Sequence, residues 1–214
     1  SLTRLAAIDG AALNPAMALN VDVVRTSFEI GAAGFAFPYG DVSVGGWRNS
    51  PYVVAQNVGA FLDTPRMLDS QHQVENRADA EAYLARLDSY GAQLDGETER
   101  LRSAGGMGVI APDFLLDKTL RQIRTSRAGT IAEWDIVTSI ARRSADFGGD
   151  FAARAERIAA ARVAPALDRQ IAELERHRAR ADDRAGVWKL PDGDAYYAWA
   201  LNAATTTSMT PDEV

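Results

Sequence analysis

Two histidines, no cysteine and a pair of adjacent tyrosines bound what chemistry this chain can carry. Structural or catalytic zinc takes three or four ligands drawn from Cys, His, Asp and Glu, with histidines often paired on one helix face. His72 and His177 are far apart in sequence, and neither His-Glu-x-x-His nor a comparable pair occurs. No metal site and no catalytic residue can therefore be assigned to this chain by the usual ligands. A Gly-x-Ser-x-Gly elbow and a P-loop are absent, and the glycines between Gly31 and Gly46 lack the strand–GxGxxG–helix setting of a nucleotide site. His72, within SQHQVE, could bind or shuttle protons; the alternative is a local turn or capping group. His177 lies among Glu173, Glu175, Arg176 and Arg178 and reads as solvent-facing. Tyr196, Tyr197 and Trp199 are either core or binding face. Adjacent tyrosines on a helix point in different directions, so one of the two is expected to face a cavity.

The elements that must position these groups are mostly helical. A short helix over 1–13 (Leu2, Leu5, Ile8) is followed by one opened by Asn14-Pro15, with Met17, Val21, Val24 and Phe28 on a single stripe. From Gly31 to about Pro65 no 3.6 period holds, and six of the 17 glycines fall there. A strand or hairpin at Asp41 to Trp47, or a long ordered loop, is expected in this region. Ala80, Leu84, Leu87, Gly91, Leu94 and Leu101 predict a long helix near 78–104. Further helices are predicted near 112–126 (Leu116, Leu120, Ile123) and 130–145, the latter opened by a Thr130–Glu133 capping box. A charged helix over 150–184 should kink or break at Pro165, turn Ile171 and Leu174 inward, and stop at Gly186. The fold class is mainly α and multi-helical, with at most a small β element around 41–47.

The formal charge of −6 and pI near 5.0 argue against a nucleic-acid partner, and no run is long enough to span a bilayer. Residues 186–214 are the densest in unusual choices. Asp194 is placed to cap a short aromatic helix, and Thr205 to Thr207 to break it. Thr210-Pro211-Asp212-Glu213 then writes a helix start immediately before Val214. A helix begun there needs further residues to close its first turns, which predicts a second segment docked against this one.

The stretch GVWKLPDGDAYYAWALNAATTTSMTPDEV resembles a signature of a bacterial family catalogued as domain of unknown function 885. FPYG at Phe37, SPYV at Ser50, FLDTPRMLDSQHQVENRADAEAYLARL from Phe61 and GVIAPDFLLDKTL from Gly108 look like that family in the same order. The resemblance implies a helical half of a zinc-metallopeptidase-like hydrolase, with a His-Glu-Gly-x-Pro-Gly-His-His metal motif on a helix downstream of Thr-Pro-Asp-Glu. On that basis residues 1–214 form one helical region of a larger domain completed by a C-terminal catalytic half, which is the expected partner. Zinc would be bound outside these residues, and a peptide-like small substrate would sit in a shared cleft. Tyr196, Tyr197, Tyr39, Tyr52 and His72 are the candidate substrate-facing residues, and a periplasmic or secreted location is implied. The alternative is a helical interaction or scaffold module without catalysis.

Overall fold

A computed structural model describes residues 2–42 and 49–214. The described residues are mainly helical. Of the β element expected at 41–47, residues 43–47 lie outside them; at its edge, Asp41 and Ser50 pair in an antiparallel bridge, with Asp41 N–H donating to the Ser50 carbonyl at 2.9 Å. Two compact units are formed, one from residues 1–51 and 185–214, the other from 52–184.

The first unit holds α1 (Leu2–Ala6), α2 (Pro15–Gly34) and, from the far end of the chain, α9 (Gly193–Thr205). Asn14 caps α2 by accepting the Met17 amide at 2.9 Å, as the sequence predicts. Only Gly31 and Gly34 of this twenty-residue helix are buried. Its predicted core stripe instead lies open, with Met17 48%, Val24 41% and Phe28 41% exposed.

The second unit packs α3 (Ala60–Ser70), α4 (Arg77–Gly106), α5 (Asp113–Arg127), α6 (Asp135–Arg143), α7 (Phe151–Ile158) and α8 (Ala164–Arg178) around one core. The α4 stripe from Ala80 to Leu101 is buried along its whole length, and Leu116, Leu120 and Ile123 of α5 are buried in the same core. Asn76 caps α4 by accepting the Asp79 amide at 3.0 Å.

Four expectations are corrected. First, α3 occupies a stretch with no helical period and carries Pro65 inside it. Burial of Phe61 and Leu68 offsets the missing proline N–H, and Glu97 of α4 accepts the Ala60 amide at 2.8 Å. Second, the Thr130–Glu133 segment opens only a single 3-10 turn, and α6 starts at Asp135. Trp134 takes an extended backbone between them, which seats its indole in the core and lets its N–H donate to the Ala128 carbonyl at 3.0 Å. Third, the chain does not break at Pro165: a π turn at Ala159–Val163 joins α7 to α8. It widens the ladder by one residue, Ala164 N–H bonding Ala159, just before the residue with no N–H to give. Fourth, α8 ends at Arg178 rather than Gly186, which instead, at φ 98°, leads into the 3-10 turn Val187–Lys189.

Candidate functional site

In the first unit the tyrosines are set by α9. Asp192, in the left-handed region at φ 53°, is the N-cap in place of the expected Asp194, and Thr206 at φ 57° ends the helix among the three threonines. Gly193 follows Asp192 because a Cβ there would fall 2.0 Å from the Val187 carbonyl oxygen. Tyr196 and Trp199, three residues apart, lie on one face and pack edge-on at 5.3 Å between ring centroids. Tyr39 stacks on Tyr196 at 5.5 Å, and Phe37 approaches Tyr196 edge-on at 5.2 Å. The Tyr39 hydroxyl donates to the Pro191 carbonyl at 2.5 Å, and burial pushes its pKa up. Trp199 donates its indole N–H to Ile30 at 2.8 Å, its ring lying where a Cβ on Gly34 would stand. These rings are an aromatic core. Tyr197 points the other way and is 48% exposed, against 3% for Tyr196. The divergence expected of adjacent tyrosines is therefore found, with Tyr197 as the outward one.

Tyr52 and His72 belong to the second unit. Tyr52 is half-buried against its core. His72 is buried, with Nδ1 2.8 Å from an Arg86 guanidinium nitrogen and Nε2 3.0 Å from the Asp79 carbonyl oxygen. Arginine only donates, so Nδ1 accepts; Nε2 then carries the proton and donates to Asp79. Both ring nitrogens are engaged, which makes His72 a clamp between α3 and α4. Arg143 of α6 completes it by donating to the carbonyls of Leu68 (2.9 Å), Asp69 (3.1 Å) and His72. Tyr83, edge-on to His72, donates to the Ile136 carbonyl at 2.9 Å, and burial raises its pKa to about 12. Replacing Arg143 with Met leaves three carbonyls to water or to nothing. We expect a loss of about 2–3 kcal/mol in denaturant unfolding, against under 0.5 kcal/mol for Arg142→Met, whose side chain is exposed.

His177 is the clearest misreading: it is 3% exposed, not solvent-facing. Gly105 of α4 leaves the flat spot it occupies, since a Cβ there would come within 2.6 Å of Nε2. Gln170, Glu173 and His177 are all buried on the inner face of α8. Gln170 donates to Glu97 Oε2 at 3.2 Å, so the carboxylate that caps α3 is itself held from α8. The signal was available, because 163, 166, 170, 173 and 177 continue one helical face; dense flanking charge concealed it.

The two histidines are thus committed to separate packing sites, and among the described residues no group of three or more His, Cys, Asp and Glu side chains could hold a metal ion. The residues present do not fit zinc, and no step through it is derived from them.

The described residues form a mainly helical framework with buried aromatic and imidazole clamps. The particular family follows from comparison: a family model described as "Bacterial protein of unknown function (DUF885)" matches residues 1–214, and the chain belongs to that family. No match is found among curated proteins. Among solved structures the chain is similar to a putative lipoprotein from Colwellia psychrerythraea, at TM-score 0.88 and 16% identity over 99% of this chain. It spans 37% of that protein's length, and the likeness bears on fold alone. No helix among the described residues is long and apolar enough to cross a membrane.

Proposed function

We propose that this chain is a non-catalytic helical part of a zinc-dependent peptidase or related amide hydrolase, where it forms one wall of the substrate cleft. The observation that carries the reading is α2. Its stripe of Met17, Val24 and Phe28 has the period of a buried face yet lies exposed, and contiguous apolar surface of this kind marks an interface. The structural neighbour is more than twice as long as this chain, which supports a further segment as its cover. In the complete protein that segment would bind zinc and activate water on it. Tyr197 is the side chain we assign to a peptide-like substrate, because its phenol is outward while its neighbour Tyr196, on the same helix, is fixed in the aromatic core. A periplasmic or secreted location belongs to the same reading.

The test compares the complete gene product with residues 1–214 alone, by zinc content and peptide hydrolysis. We expect stoichiometric zinc and activity only in the complete product. There Tyr197→Phe should lower kcat by about a hundredfold, the scale of one lost oxyanion donor. A complete product without zinc or hydrolysis, and with α2 unprotected in hydrogen exchange, leaves the scaffold reading in its place.

A further inference from the structure

The second unit contains a solvent-reaching cavity of about 310 Å³ lined from α4, α5, α6, the π turn and α8. That is the low end of the range for small-molecule sites, roughly 300–1,000 Å³. Its walls mix apolar, acidic and neutral polar groups, the last from Thr125 and Ser126 of α5. Trp134, Val163 and Leu167 supply apolar surface, and all three are buried. Glu133 and Asp135, on either side of Trp134, line it with exposed carboxylates. Tyr90 also lines it, and is buried.

The two carboxylates differ from several others of this unit. Asp88, Asp95, Asp117, Asp168 and Glu175 of this unit each hold an arginine within ion-pair distance. Neither Glu133 nor Asp135 has an ion-pair partner among the described residues. Arg127, 5.7 Å from the Trp134 ring centroid, is bound to Asp168 in two hydrogen bonds of 2.8 and 3.1 Å. Asp135 opens α6, where the helix dipole already favours its charge, so Glu133 has the greater unmet demand for a cation.

The cavity also has a built cause. The π turn displaces Val163 from the position a regular helix would give it, and such turns recur at functional sites. Gly91, the neighbour of Tyr90, admits the Arg162 carbonyl, which a Cβ would meet at 2.8 Å. One small residue thereby brings the π turn and the buried phenol to the same wall.

We propose that this cavity binds a small organic ammonium with an apolar body. Glu133, with Asp135 beside it, takes the ammonium at the mouth, and the body lies against Trp134, Val163 and Leu167, with Tyr90 also in the wall. An anion is repelled by the two carboxylates, and a neutral body leaves Glu133 unmatched. This site is independent of any peptidase role.

Phenethylammonium, 2-phenylethanol and phenylacetate are titrated separately into the isotope-labelled chain, following the Trp134 indole N–H and the amides of Glu133 and Asp135. We expect saturable shifts with the amine, and at least about tenfold weaker binding of the alcohol and the acid, as one charge-assisted contact implies. Glu133→Gln, an exposed substitution, should weaken the amine about tenfold and leave the alcohol unchanged. The site is refuted if the amine gives no saturable shift, if the alcohol binds as tightly as the amine, or if Glu133→Gln binds the amine like the wild type.

Discussion

Gly91→Ala is expected to destabilise the protein by about 3 kcal/mol, lowering Tm by roughly 6–12 °C for a chain of this size. The added methyl would meet the Arg162 carbonyl oxygen at 2.8 Å, its carbon at 3.0 Å and Arg162 Cβ at 3.1 Å. Backbone cannot swing aside as a side chain can, so α4 and the π turn must separate. The bias of helix propensity, which favours Ala over Gly by about 1 kcal/mol, runs the other way and is outweighed. Gly96 on the same helix makes the comparison sharp, because a Cβ there meets nothing within 4 Å. Gly96→Ala should stabilise by about 0.5–1 kcal/mol. Thermal unfolding of the two variants side by side checks both signs; equal and positive shifts would remove the close approach from the account.

The second large effect is one of pH. Burial lowers the pKa of His177, with Glu173, 3.8 Å from Nε2, pulling in the opposite direction and Arg180 adding to the fall. Glu173 is also held by Arg102 and Arg176, which blunts its pull. An unfolded histidine titrates near 6.5. Above that pH neither state is protonated here, and the contribution of the buried ring is complete. As pH falls through 6.5 the unfolded chain takes up a proton that the folded chain refuses until its own, lower pKa. Stability then drops by up to about 1.4 kcal/mol per pH unit. The Leu101 carbonyl, which hydrogen-bonds the ring, would still find a donor in His177→Asn, while the titration is removed. The variant's stability should be lower at pH 7.5, from lost volume, but flatter between pH 6.5 and 5. Glu81 and Asp117, whose pKa values arginines lower, and Glu213, lowered by Thr210, act only at more acid pH. Equal slopes for wild type and variant in denaturant titrations would show that His177 is not the responsible group.

What the sequence disclosed follows from which forces are periodic. The α4 stripe could be read because six apolar or small residues recur at helical steps, and burial requires that recurrence. The capping of α2 by Asn14 and the divergence of Tyr196 and Tyr197 are likewise local geometry, although which of the two turns outward is not. Helix α3 was hidden because its start is stabilised by Glu97, thirty-seven residues away, while Pro65 argued against it locally. His177 was misread because neighbouring charges describe the outer face of α8 and say nothing of the inner one. The cavity beside Trp134 depends on a π turn and on one glycine of another helix, neither of which leaves a periodic trace. Tyr39 was legible as a candidate, but not its partner Pro191, 152 positions later.

That span has a consequence for how the protein is made. The first unit draws on both ends of the chain, while the second is a continuous run from 52 to 184. During synthesis the second unit can therefore finish first, and α2 must wait for α9. At translation rates of about 5–20 residues per second the wait from Gly34 to Thr205 is roughly 9–34 s. Throughout it the face of α2 that holds Gly31 and Gly34 lacks the cover that Trp199 later brings. The nascent protein is most exposed to misassembly at α2, made well before the helix that covers it.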